Sequence, residues 1–304
     1  MSETSALERE FRLRLAAMDW LRTFGDDHEF TYRELAEFQF EDQKVPLLDF
    51  TRGIRKPRGF RSALSVRTVY TAPGQAPPYA DEAGEDGYLR YKIRGDDREH
   101  PENVALRRAM DDQAPLIWFV GVSSGLYLAR YPVYLATEEP AQRQFVVAID
   151  PGQLRAWHEG RHSEDERRYA AGIARRRIHQ PLFRARVLEA YERRCAMCRL
   201  KHVSLLDASH IVSDRHALGL PIVPNGLALC KIHHAAFDQN IIGISPDLVI
   251  EVRRDILDEV DGPMLRHGIQ EMQGARLTIP RQRAAKPDRE RLDLRFQEFR
   301  SAVA

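Results

Sequence analysis

The three cysteines of the chain fall into two short pairs with the spacing of metal ligands. Cys195 and Cys198 are separated by two residues, and Cys230 is separated from His233 by two residues. Each spacing puts two ligands on one tight turn, and two such pairs supply the four sulfur and nitrogen ligands of a tetrahedral structural zinc site. Three ordinary buried thiols would leave the paired spacing unexplained. The sequence therefore predicts a Cys3His zinc site.

Further polar residues lie between and after these pairs. His210 and Asn225 stand between them, and His234 and Asp238 follow the second pair. This order resembles the zinc-containing branch of the HNH (ββα-metal) endonucleases, in which a β-hairpin bearing a His and an Asn packs on a helix bearing metal ligands. The resemblance covers roughly residues 180–250, and it is specific because several independent positions must agree.

The resemblance implies a role for each of these residues. His210 corresponds to the general base, Asn225 to the residue that orients it, and His234 and Asp238 to ligands of a catalytic Mg²⁺ or Mn²⁺ ion. His234 and Asp238 are four residues apart on a predicted helix and so share one face, whereas His233 points about 100° away and is free for the zinc. An imidazole with a pKa near about 6.5 can take a proton from water, and the ion can neutralise the phosphate and leaving oxygen. We therefore expect hydrolysis of phosphodiester bonds in double-stranded DNA.

One position departs from the pattern of the HNH family. Many members carry an Asp or His immediately before the base as a further metal ligand, and this chain has Ser209 there. Two explanations stay open at this point. Either the ion has two protein ligands plus water, which we favour, or Asp207, two residues before Ser209 on the same strand face, reaches the ion.

Composition limits the class of protein. The chain has 304 residues, of which 43% are hydrophobic and 30% charged, so it should form a globular protein with two domains. No apolar run approaches the roughly 18 residues needed to span a bilayer, so we expect no membrane partner. The N-terminus lacks the basic-then-apolar order of a secretory signal, so we expect a cytoplasmic location without disulfides.

Positive charge is concentrated in the middle of the chain, although the net charge is only +1. Between residues 151 and 200, twelve arginines stand against six acidic residues. Such a surplus indicates phosphate binding, and a solvated helix face is the alternative. The candidate DNA contacts are Arg175, Arg176, Arg177 and Arg184.

The elements that position these residues follow from hydrophobic spacing. Helical spacing before residue 45 predicts two helices, and Thr31 with Glu34 forms a capping box that starts the second. Short β-branched and aromatic runs then predict strands, with one helix near residues 103–110. The fold class is therefore α+β. We predict five segments: a helical lead-in (1–45), a β-rich domain (46–150), an Arg-rich linker (151–179), the ββα-metal nuclease domain (180–260), and a C-terminal tail (261–304) that docks on the nuclease domain or mediates formation of a homodimer.

The β-rich domain is similar in outline to PUA/SRA-like readers of modified bases. Such readers often hold a flipped base between aromatic faces, and Tyr88, Tyr91 and Trp118 lie on predicted strands. Core packing is the alternative role for these rings.

The sequence thus favours a restriction endonuclease, in which the N-terminal half reads DNA, including its modifications, and the C-terminal half cuts it. A non-catalytic zinc-stapled DNA-binding protein and a nuclease toxin are the alternatives.

Overall fold

The apolar and β-branched run in the N-terminal half forms a long buried strand, β7 (Leu116–Ser123), in the computed structural model of the chain. Successive side chains point to opposite faces of a strand. Accordingly, Trp118 and Val120 lie in one hydrophobic core, and Ile117 and Phe119 lie in a second core. Strand β7 is therefore covered on both faces.

The chain divides into two compact units, Met1–Leu182 (unit 1) and Phe183–Ala304 (unit 2), each with its own hydrophobic core. The α+β fold class is confirmed. No helix in the described part of the chain is long and apolar enough to cross a membrane. The structure describes residues 3–72, 74–75, 84–161, 163–214 and 216–303.

Strand β7 belongs to a mixed seven-stranded sheet in unit 1. The other strands of this sheet are β1 (Glu29–Thr31), β4 (Ile54–Arg55), β5 (Ser65–Thr68), β6 (Leu89–Lys92), β8 (Leu126–Glu139) and β9 (Gln144–Ala148). Their order is β4-β5-β7-β8-β9-β6, with β1 paired to the start of β8. Only the β5 and β7 pair is parallel among these described strands. A separate short hairpin is formed by β2 (Gln39–Phe40) and β3 (Gln43–Lys44).

Helices cover both faces of this sheet. They are α1 (Glu3–Arg22), α2 (Tyr32–Leu35), α3 (Pro101–Asp111), α4 (Pro151–His158), α5 (Glu164–Ala174) and a π-helical turn (Arg175–His179). Leu13 and Leu21 of α1 lie in the core that contains Phe119, and Leu106 of α3 lies in the core that contains Trp118. The predicted capping box at the start of α2 is present, and α3 matches the helix predicted near residues 103–110.

The segments predicted as a lead-in and as a linker both lie within unit 1. In α1, Arg14 is buried and donates hydrogen bonds to the carbonyl oxygens of Ala63 (2.7 Å) and Pro115 (3.1 Å). In the stretch predicted as a linker, Ile173 and Ile178 are buried in the same core as β7. A few apolar residues on one helix face suffice to pack a helix on a sheet.

Unit 2 is built around a β-hairpin and the helix that follows it. The boundary between the units falls within α6 (Gln180–Ala190). Unit 2 then contains β10 (Leu206–His210), β11 (Gly226–Cys230), α7 (Lys231–Asp238), β12 (Ile242–Ile244), β13 (Ile250–Val252), α8 (Arg254–Asp258), α9 (Pro263–Gly268) and α10 (Arg289–Val303). The predicted C-terminal tail is part of this unit, because Ile269, Leu277 and Leu292 lie in its core. Homodimer formation stays a prediction.

Candidate functional site

The two predicted ligand pairs come together in unit 2. The sulfur atoms of Cys195, Cys198 and Cys230 and one ring nitrogen of His233 all lie within 4.8 Å of one another. His233 Nδ1 is 3.4 Å from Cys195 Sγ and 3.2 Å from Cys230 Sγ. Four ligands bound to one tetrahedral zinc at about 2.0–2.3 Å would lie roughly 3.5 Å apart. The residues of this Cys3His cluster therefore fit a structural zinc ion.

The backbone fixes which nitrogen of His233 faces the cluster. His233 Nε2 lies 2.7 Å from the carbonyl oxygen of Gly268, at the end of α9. A carbonyl only accepts, so Nε2 carries the proton and Nδ1 faces the sulfur atoms with its lone pair when the ring is neutral. Such a contact on the far side of a ligand histidine is typical of zinc sites.

The charge of the cluster also suits a cation. Burial lowers the pKa of His233, but the sulfur atoms of Cys195 and Cys230 outweigh burial and raise the pKa to about 10. The pKa of the Cys230 thiol is lowered, because the neighbouring ligand side chains hydrogen-bond to its sulfur. The pKa of the Cys198 thiol is raised by hydrogen bonds with Cys195 and Cys230, so the four side chains share protons among them. A bound Zn²⁺ would take the place of those protons.

His210 stands at the end of β10, opposite Gly226 of β11. Its ring stacks on Phe183 of α6, with ring centroids 4.1 Å apart. A side chain at Gly226 would collide with this platform, because its Cβ would lie 2.9 Å from Phe183 Cζ and 2.4 Å from Val187 Cγ2. The glycine therefore allows α6 to approach the hairpin closely and to support the His210 ring.

The Nε2 edge of the His210 ring has a different environment from the face that stacks on Phe183. Its Nε2 atom is buried and has no hydrogen-bond partner among the residues that the structure describes. Burial lowers the pKa of His210 below its ordinary value of 6.5; Asp214 and Asp238 raise it in part, and His234 lowers it further. The ring is therefore neutral at neutral pH, and a neutral imidazole can accept a proton.

Asn225 is fully buried just before β11. Its Oδ1 accepts a hydrogen bond from the backbone N–H of Val212 (3.0 Å), and its Nδ2 donates to the carbonyl oxygens of Val212 (3.0 Å) and Leu220 (3.1 Å). Its own carbonyl accepts from the N–H of Ile211 (2.9 Å). The structure differs here from the predicted direct contact, because the amide groups are used by the segment that follows His210. Asn225 holds that segment in place and does not contact the His210 ring.

Helix α7 brings His234 and Asp238 together on one face, four residues apart as predicted. His234 Nε2 lies 3.3 Å from Asp238 Oδ2. The other ring nitrogen, Nδ1, lies 3.4 Å from Asp207 Oδ2, which is also 2.5 Å from Lys231 Nζ. Although burial raises the pKa of Asp207, Lys231 and His234 bring it below its ordinary value. Asp207 is therefore a carboxylate that can accept a hydrogen bond from His234 Nδ1–H.

This arrangement bears on the two explanations for Ser209. Ser209 is buried, and its Oγ lacks a hydrogen-bond partner in the described residues. Asp207 lies at the opposite ring edge of His234 from Asp238. Two ligand atoms bound to one Mg²⁺-like ion at right angles would lie roughly 3 Å apart, which suits the pair His234 Nε2 and Asp238 Oδ2. The geometry favours an ion bound by two protein ligands and water. Asp207 then contacts the ring nitrogen of His234 that does not face the ion.

Comparison with known proteins bears on this site directly. A family model described as HNH endonuclease matches residues 195–245. Residues 195–245 are an HNH endonuclease domain. A comparison with curated proteins finds no match to the chain. The HNH resemblance predicted from the sequence is thus confirmed for this segment.

Two solved structures are similar to the chain. One is a modification-dependent TagI restriction endonuclease, with a TM-score of 0.27 and 15% identity over 80% of this chain and 82% of that chain. The other is the type IV phosphorothioation-dependent restriction endonuclease ScoMcrA, with a TM-score of 0.25 and 14% identity over 61% of this chain and 54% of that chain.

The arginines predicted to contact DNA have different environments. Arg184 donates to the carbonyl oxygens of Val203 (3.2 Å) and Leu206 (2.9 Å), so it braces the entry into β10 of the HNH domain. Arg177 donates to the carbonyl oxygens of Ile149 and Tyr131 within unit 1. Both arginines thus also have structural roles, because carbonyl groups inside the protein need donors, and their contact with DNA stays a prediction. The remaining two are exposed in the π-helical turn, and their contact with DNA stays a prediction: Arg175 and Arg176.

The three aromatic residues predicted to read a base are core residues of unit 1. Tyr88 is buried and donates to the carbonyl oxygen of Gln153 (3.0 Å). Tyr91 and Trp118 are buried edge to face, and Trp118 Nε1 donates to Thr68 Oγ1 (2.9 Å). Their rings and polar atoms are satisfied by the protein, so the structure corrects their predicted role as a base pocket to core packing.

The metal content of the HNH domain provides a first test. We expect the purified protein to hold one equivalent of zinc, and His233→Ala to lose it and to unfold unit 2, because structural zinc contributes on the order of 10 kcal/mol to folding. His202→Ala, which removes an exposed imidazole, should keep both zinc and fold. Elemental analysis with thermal unfolding measures both. Less than half an equivalent of zinc in folded wild-type protein would refute the structural site.

Proposed function

We propose that the HNH domain hydrolyses phosphodiester bonds in double-stranded DNA, with His210 as the general base. The observation that carries this proposal is the buried, unpartnered Nε2 of His210 in the described structure, in the same domain as the His234 and Asp238 pair. A buried ring nitrogen without a partner is unfavourable unless a water or substrate oxygen completes its hydrogen bond. A water bound there would be the nucleophile.

The chain's own residues perform the proton transfer in this proposal. His210 Nε2 takes a proton from the attacking water, which forms a bond to phosphorus as the bond to the 3′ oxygen breaks. The low pKa of His210 keeps the base unprotonated at neutral pH. Phe183 fixes the plane of the ring, and Asn225 fixes the segment beyond it. The base is thereby held in place before substrate arrives.

His234 and Asp238 would hold one divalent ion, Mg²⁺ or Mn²⁺. Donation of His234 Nδ1–H to Asp207 leaves the Nε2 lone pair directed toward the side on which Asp238 lies. When bound, the ion supplies positive charge to the phosphate and to the departing oxygen. Asp207 is then a positioning residue that acts through His234.

We propose further that unit 1 selects the DNA, including its modifications, and that the protein is a restriction endonuclease. What supports a separate selecting unit is that unit 1 has cores of its own and contains no residue of the proposed catalytic set. The residues that would contact a modified base are not those predicted from the sequence, since Tyr88, Tyr91 and Trp118 are core residues.

Cleavage assays on two variants separate the base from the metal ligand. His210→Ala should lower the rate of metal-dependent cleavage by about 10²–10⁴-fold, with zinc content and DNA affinity unchanged, because the ring acts only in proton transfer. Asp238→Ala should give a defect that excess Mn²⁺ partly relieves, because it weakens ion binding. His202→Ala is the matched control. Cleavage by His210→Ala at the wild-type rate would show that His210 has no catalytic role.

The selecting role of unit 1 predicts a difference between substrates of identical sequence. Matched unmodified, methylated, hydroxymethylated and phosphorothioated duplexes should be cut at different rates in the presence of Mg²⁺ or Mn²⁺. The same order should appear in binding measurements with His210→Ala, because selection precedes chemistry. Equal cleavage of all four duplexes would leave the nuclease proposal standing and reject selection by these modifications.

A further inference from the structure

A cavity of about 130 Å³ lies in unit 2 where α6 ends and the zinc-binding turn begins. Three arginines line it, Arg194, Arg199 and Arg281, together with Glu192 and residues 278–280. Its volume is several times the roughly 30 Å³ that one water molecule occupies in the liquid. The cavity can therefore hold a small polyatomic group.

The charges around the cavity leave donors without acceptors. Glu192 pairs with Arg281 at 2.9 Å, which neutralises one of the three guanidinium groups. Arg194 Nε is buried and has no hydrogen-bond partner in the part of the chain that the structure describes. Two guanidinium groups are therefore left to bind an anion, and their planar sets of N–H donors match the oxygen atoms of a phosphate group.

The zinc site fixes two of these arginines. Arg194 immediately precedes Cys195, and Arg199 immediately follows Cys198, so the four-ligand cluster fixes the backbone from which both cavity-lining side chains extend. The N–H of Thr278 donates to the carbonyl oxygen of Ala196 (2.8 Å), which ties the wall of the cavity to this turn. The cavity is thus built on a rigid part of the domain.

Helix α6 relates this cavity to the catalytic centre. Phe183, which stacks on His210, and Ala190, which lines the cavity, are both on α6. Seven residues of α-helix span about 10 Å, at about 1.5 Å per residue. This distance corresponds to about three base-pair steps along the axis of a DNA duplex, at about 3.4 Å per step.

We propose that the cavity binds a backbone phosphate of the DNA, a few nucleotides from the bond that is cut. The proposal rests on the proposed function in taking DNA as the substrate. The phosphate oxygens accept hydrogen bonds from Arg194 and Arg199, and no base is contacted. The site therefore holds the duplex in register for His210 without reading its sequence.

The salt dependence of DNA binding tests this proposal. Binding of a duplex is measured without Mg²⁺ or Mn²⁺ over a series of salt concentrations, for the wild type and for Arg194→Gln/Arg199→Gln. The slope of log affinity against log salt should become shallower by about 0.9 for the lost phosphate contact, equally for duplexes of different sequence. The control, Arg254→Gln/Arg266→Gln, removes two exposed charges of the same unit and should leave the slope unchanged.

An unchanged slope in a double variant that keeps its zinc would overturn the proposal. Arg199→Gln alone, at an exposed position, serves if the double variant loses zinc. Binding of inorganic phosphate by the wild type, measured calorimetrically, without any effect of the substitutions on the DNA slope would show a site for free phosphate and also overturn it. A shallower slope in a protein that fails to cut DNA would support the phosphate site and reject the nuclease proposal instead.

Discussion

The contact between His233 and the carbonyl of Gly268 fixes the side chain on which the Cys3His cluster of unit 2 depends. It gives the ring one orientation, with Nδ1 toward the three cysteine sulfurs. Cys230 and His233 then fix the first turn of α7, and Cys195 and Cys198 fix the turn that follows α6. A zinc ion bound by all four side chains would join the hairpin, α6 and α7 at one point.

Because His233 is fixed, the direction of its neighbour is fixed as well. Adjacent residues of an α-helix point about 100° apart. The His234 side chain therefore points away from the Cys3His cluster and contacts Asp207 and Asp238. The two histidines use opposite nitrogens: Nδ1 of His233 faces the sulfur atoms, and Nε2 of His234 faces Asp238. The first turn of α7 could thus supply one ligand to a structural ion and another to a catalytic ion, with no ligand shared between the two ions.

Local spacing was enough to predict the two pairs of the Cys3His cluster and the shared face of His234 and Asp238, because each depends on residues close in sequence. Contacts made over long sequence separations had no such signal. Gly268 lies 35 residues beyond His233, and nothing in its surroundings marks its carbonyl as a partner. Arg184 lies in an Arg-rich stretch that is typical of phosphate binding, yet its side chain donates hydrogen bonds to backbone carbonyls. Aromatic residues such as Trp118 have the same strand pattern in a core as in a pocket, so sequence alone could not separate these roles.

We propose that α7 binds two different metal ions through adjacent histidines, a structural zinc ion through His233 and a catalytic ion through His234. Titration of Mn²⁺ into zinc-loaded protein, followed by elemental analysis and electron paramagnetic resonance, tests it most directly. We predict that one Mn²⁺ binds per chain while zinc stays in place, and that His234→Ala abolishes Mn²⁺ binding and retains zinc. Displacement of zinc by Mn²⁺, or unchanged Mn²⁺ binding in His234→Ala, would contradict the two-ion account.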